Sequence, residues 1–169
     1  MSISKGFTFL EMIGATAVAS VLAVTAAPRF IDFAAEERAA AINGAAGVIN
    51  SVAENTYNQV VMNGALPLQS QQSSDNVALA FGYPEASSSG IISAIENKSS
   101  INREGGWTYR VASTSSQRSV VLTLAANIDS ASSQHSFDQI LSSHCYVQYI
   151  QPQNSAALNY QVQSETSGC

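Results

Sequence analysis

The chain has 169 residues, a formal net charge of −5, and only 11% charged side chains against 46% hydrophobic ones. Too apolar for a disordered chain, it also lacks the basic footprint of a nucleic-acid binder, and no nucleic-acid partner is expected. Two cysteines and two histidines give no ligand cluster of zinc spacing, so no metal or cofactor is expected.

Met1 to Gly6 form a short polar leader, and from Phe7 to Ala27 the only ionisable side chain is Glu11. At 1.5 Å per residue the run reaches roughly 31 Å, enough for the hydrocarbon core of a bilayer. A secretory signal would place a small-residue cut site after its apolar core. Here the leader lies before it, so cleavage after Gly6 keeps the anchor.

A carboxylate at the centre of such a helix costs on the order of 2.5–3.5 kcal/mol, less near the end. Glu11 therefore reads either as a helix-start residue favoured by the N-terminal dipole or as one half of an intermolecular salt bridge. Gly14 weakens the helix by about 1 kcal/mol, and Pro28 deletes a backbone hydrogen bond. Both soften the segment between them, although both residues are also common in membrane helices.

Beyond Arg29 the pattern becomes amphipathic, with Ala45, Val48, Ile49, Val52, Ala53, Tyr57, Val60 and Val61 at three- and four-residue steps. Asp32, Glu36, Glu37 and Arg38 take the opposite face, and Ala39 to Ala41, Gly44, Ala46 and Gly47 permit close helix approach. One helix is expected from about Phe7 to Met62, stopped by Asn63-Gly64. Leu66 to Gly106 read as irregular, with Gln69 to Asp75 a polar loop, Tyr83-Pro84 a turn, and Ser87 to Ser89 capping a short helix over Ile91, Ile92 and Ile95.

Strands are expected at Trp107 to Ala112, Ser119 to Ala125, Tyr146 to Ile150 and, more weakly, Leu158 to Val162. A short helix fits Phe137, Ile140 and Leu141 between Asp129 and Ser143. An antiparallel sheet laid on the amphipathic half-helix gives an α+β fold. Cys145 and Cys169 favour a disulfide worth roughly 3.5 kcal/mol in an oxidising compartment, the other reading being two free thiols. His135 and His144 read as surface residues, and Tyr83 and Trp107 as core or turn residues rather than a sugar platform. No Ser-His-Asp, paired-acid or phosphate-loop pattern is present, and the chain is not expected to be an enzyme. Asp129, Asp138 and the histidines could approach one another only through folding.

The segment G-F-T-F-L-E, Gly6 to Glu11, resembles the processing signature of type IV prepilins, although Lys5 is the only basic side chain in the leader. The resemblance implies that a prepilin peptidase cuts between Gly6 and Phe7 and N-methylates Phe7. It implies that Glu11 neutralises the terminal amine of a neighbouring subunit during assembly, and that Gly14 and Pro28 mark the soft part of the helix. It divides the chain into leader 1–6, membrane and filament-core half-helix 7–28, and globular pilin domain 29–169, closed by the Cys145–Cys169 bond of a C-terminal D-region.

V-T-A-A-P-R-F from Val24, F-G-Y-P-E-A-S-S-S-G-I from Phe81, the Trp107 strand and C-Y-V-Q-Y from Cys145 are similar to the mannose-sensitive haemagglutinin pilins. That subgroup implies a major subunit of a homo-oligomeric helical filament used in attachment and biofilm formation. The subunit would be stored in the inner membrane, added by inner-membrane assembly machinery and then extracellular. A minor pilin or type II secretion pseudopilin is the alternative, and a membrane-anchored lectin or enzyme a remote one.

Overall fold

The computed structural model describes residues 8–64, 71–72, 75–99, 101–102, 104–114, 117–128, 136–153 and 159–169, of which 25–32 and 71–72 by their backbone alone. It is a mixed α+β structure, an N-terminal helix followed by a C-terminal four-stranded antiparallel sheet. Two compact units divide it, Met1–Glu37 and Arg38–Cys169.

Helix α1 spans Phe9–Met62. It ends where expected: Asn63 and Gly64 leave the helix, and Gly64 takes φ +67°, a left-handed conformation that costs glycine little. In the second unit, Ile42, Ala45, Ile49, Val52, Ala53, Thr56 and Val60 are buried, a continuous stripe at three- and four-residue steps. Val48 and Tyr57, expected in that stripe, are half-buried at its margin, and Val61 is exposed.

The sheet facing this stripe has the order β4-β5-β6-β7, from Trp107–Ser113, Arg118–Leu124, Tyr146–Ile150 and Gln161–Glu165. Its registers bring Leu122 opposite Val147 and Val120 opposite Tyr149. These four alternate residues point into one core with the α1 stripe. On the other face Val121 packs with Ile128 and Ile140, under helix α3 (Phe137–Ser142). Ser136 and Gln139 form a reciprocal capping box that starts α3. The fourth strand is displaced from the expected Leu158 to Val162. Tyr160 turns its ring to the core, and pairing with β6 begins only at Gln161, opposite Ile150.

The stretch expected to be irregular carries a small sheet of its own: β1 (Gln71–Gln72), β2 (Ala78–Ala80) and β3 (Tyr83–Pro84), in the order β1-β2-β3. Tyr83-Pro84 is therefore a strand and not the turn. The reversal falls at Phe81-Gly82, both at positive φ. Proline is tolerated because β3 is an edge strand, where the missing N–H leaves no ladder bond open. Ser87 caps the next turn through Gly90 N–H, as expected, but the segment Ser88–Ile92 is kinked at Gly90, whose φ −98° and ψ −106° are not helical, before it runs into α2 (Ser93–Glu96).

Candidate functional site

Two places carry the sequence signals, the start of α1 and the C-terminal disulfide region. At the first, Thr8 and Glu11 close a capping box. Glu11 N–H donates to Thr8 Oγ1 at 3.3 Å, while Thr8 N–H and its hydroxyl both donate to Glu11 Oε2 at 2.9 Å. Both bonds fall on the same oxygen, Oε2. Glu11 thus stands in the first turn of α1 as a helix-start residue.

Downstream, Phe9, Leu10, Met12, Ile13, Val18, Val21, Leu22 and Val24 are 51–81% exposed. Polar groups among them are turned inward: Thr16 Oγ1 donates to Met12 O at 2.5 Å and Ser20 Oγ to Ala17 O at 2.8 Å. A hydroxyl bonded to its own helix adds little polar surface to an apolar exterior. Among the described residues no helix is long and apolar enough to cross a membrane. The described side chains of the apolar run stop at Val24, short of its end at Ala27. The cleavage pair Gly6 and Phe7 and the Pro28 side chain lie outside the described residues, and α1 passes Gly14 and position 28 without a break.

At the second place Cys145 and Cys169 form a disulfide, with Cα atoms 4.8 Å apart. Sequence spacing favoured this bond, and two backbone features that it could not show deliver it. His144 adopts φ +51°, and Gly168 N–H donates to His144 O at 2.9 Å. A Cβ at Gly168 would collide with the Ser143 carbonyl, so only glycine brings the last residue this close. Thr123 Oγ1 donates to Cys145 O at 2.6 Å, and Asn127 Nδ2 reaches both Thr123 Oγ1 and Cys145 Sγ. The Ser167 hydroxyl and N–H hold the Glu165 carboxyl below the usual carboxylate range.

Between the disulfide-closed strands and α1 runs an array that sequence reading missed. Tyr57 stacks on Tyr83 at 4.5 Å, Tyr83 meets Tyr160 at 5.0 Å, and Tyr160 meets Tyr149 at 5.8 Å. Tyr149 is fully buried, donates to Pro84 O at 2.7 Å, and its phenol is pushed well up by burial. Tyr83 is a core residue, as expected, and Trp107 lies half-buried at the core margin. The aromatic spacings in sequence carry no period, so only strand register could assemble them.

Asp129 and His135 lie outside the described residues, Asp138 sits exposed in the first turn of α3, and His144 is exposed at its tight turn. Among the described residues no group of three His, Cys, Asp or Glu could hold a metal. The open hollow edged by Asp75, Asn97 and Lys98 over Val77 and Ala94 presents no nucleophile beside a base. Compared with known proteins, the chain matches no family model, no curated protein and no solved structure.

Proposed function

We propose that this chain is the structural major subunit of a type IV pilus-like surface filament of the mannose-sensitive haemagglutinin kind, serving attachment and biofilm formation. The observation that carries the reading is the row of exposed apolar side chains from Phe9 to Val24 with one carboxylate at its start. Each of those large side chains gains about 1.5–3 kcal/mol on leaving water. Their cover must come from lipid or from other copies of the chain.

In this reading a prepilin peptidase cuts between Gly6 and Phe7 and methylates Phe7, and the apolar run holds the subunit in the inner membrane. Inner-membrane machinery then adds it to a helical homo-oligomer, in which the spines pack against one another. The pilin fold assigned to the chain is consistent with the amphipathic half of α1 lying on a four-stranded sheet closed by a disulfide. Softening at Gly14 and Pro28 would ease packing of the spines.

Glu11 supplies the assembly contact. Thr8 holds Oε2 and orients the carboxylate, and the protonated amine at Phe7 of a neighbouring copy takes Oε1. Neither charge then remains alone in an apolar core. The chain is a building block, without catalysis of its own.

Mass spectrometry of the N-terminal peptide from material sheared off producing cells tests the reading. An abundant N-methylated peptide starting at Phe7 is expected. Full-length protein found only in membranes would overturn it.

A further inference from the structure

The chain contains the triplet Asn-Gly-Ala twice, at Asn43-Gly44-Ala45 and at Asn63-Gly64-Ala65. Asn-Gly is the dipeptide most prone to succinimide formation, because glycine leaves the attacking amide unhindered. The local sequences are equivalent, so any difference between the sites is imposed by the fold. We propose that Asn63 is a site of spontaneous deamidation and that α1 protects its twin at Asn43. The inference does not rest on the filament reading.

The reaction needs no enzyme or oxidant. The Gly64 backbone nitrogen, having lost its proton to hydroxide, attacks Cγ of Asn63. The new N–Cγ bond closes a five-membered imide, the Cγ–Nδ2 bond breaks, and ammonia leaves with a proton from solvent. Water then opens either imide carbonyl, leaving aspartate or, with the backbone rerouted through the side chain, isoaspartate. For the ring to close, ψ of the asparagine must rotate away from its helical value near −42°.

Exposure does not separate the sites, since both asparagines and both glycines are exposed. Backbone restraint does. Asn43-Gly44 lies deep inside α1 beside fully buried Ile42, so Gly44 N–H belongs to the helical ladder. The Asn43 side chain is held as well, its Oδ1 accepting from Ser164 Oγ at 3.0 Å. Rotating ψ there breaks helix on both sides.

Asn63 is the first residue beyond α1. Its own N–H still reaches Gln59 O at 3.0 Å, but Gly64 N–H turns back to Val61 O across a tighter three-residue turn, also at 3.0 Å. Gly64 has already left helical space at φ +67°. Opening at a helix end approaches zero cost, whereas opening within a packed helix approaches the cost of global unfolding. The product places a carboxylate at the negative end of the helix dipole, which disfavours the last turn of α1.

The test is peptide mapping of the full-length chain, disulfide intact, incubated at mildly alkaline pH both folded and in concentrated urea. In the folded protein the Asn63 peptide should gain the NH-to-O mass difference and isoaspartate more than about tenfold faster than the Asn43 peptide. In urea the two should convert at similar rates. Equal rates in the folded chain, faster conversion at Asn43, or an Asn63 that stays intact while the unfolded chain converts would each overturn the proposal.

Discussion

Tyr160, just ahead of β7, donates its hydroxyl to Glu54 Oε1 on α1 at 3.1 Å, a bond between residues 106 positions apart. It anchors the edge of the sheet to the helix, with Ser164 and Asn43 repeating the link further along β7. Burial first, and then this bond, pushes the Tyr160 phenol up to about 12.

Tyr160→Phe should therefore change the alkaline stability of the protein. A phenol whose folded pKa lies above its unfolded value near 10 contributes stability that is fully present below about pH 10 and lost as pH rises through about 12. Because the half-buried Tyr160 keeps its hydroxyl at the solvent edge, screening reduces the contribution to about 1 kcal/mol. Urea unfolding between pH 8 and pH 12 checks this. The wild type should weaken more steeply than the variant across the upper half of the range, whereas parallel curves would rule out the assigned phenol.

Cys169→Ser should cost about 3.5 kcal/mol from the chain entropy of a 24-residue separation alone. The loss releases β7 from Cys145, and with it the bonds to Glu54 and Asn43. Reducing the wild type with dithiothreitol should reproduce the same denaturant midpoint. A midpoint unchanged by either treatment would mean that β7 is held without the bond.

Two glycine-to-alanine changes should move stability in opposite directions. At Gly90, where φ is −98° and ψ −106°, a Cβ would run into the Glu85 carbonyl oxygen, which already accepts Ser87 and Ile91 N–H. Gly90→Ala should lose about 2 kcal/mol or more, as overpacking against backbone does. At Gly44 a Cβ meets nothing within 4 Å, so Gly44→Ala should gain up to about 1 kcal/mol of helix propensity. Thermal unfolding of the pair, read against wild type, separates them.

Under the proposed function, Glu11→Ala should leave the subunit inserted and processed but cut surface filaments by at least about tenfold, counted by electron microscopy. Thr8→Val removes the hydroxyl donor and acceptor but keeps the backbone bond to Oε2. It should give a milder defect, by losing about 1 kcal/mol of capping. Normal filament numbers in Glu11→Ala would remove the carboxylate from assembly.

Local signals settled the parts of this protein that obey a short-range rule. The α1 stripe from Ile42 to Val60, its stop at Asn63-Gly64, the Ser87 cap and the alternation of β4, β5 and β6 follow from periods of 3.6 and 2 and from turn chemistry that neighbouring residues decide among themselves. The small β1-β2-β3 sheet, the shift of β7 to Gln161 and the array of Tyr57, Tyr83, Tyr149 and Tyr160 did not. Each depends on pairing between segments tens of residues apart, where two- and three-residue strands have too little sequence to show a period. Glu11 stands between these cases. Sequence marks it as the one carboxylate in an apolar run, and the folded helix start shows that Thr8 occupies one of its oxygens.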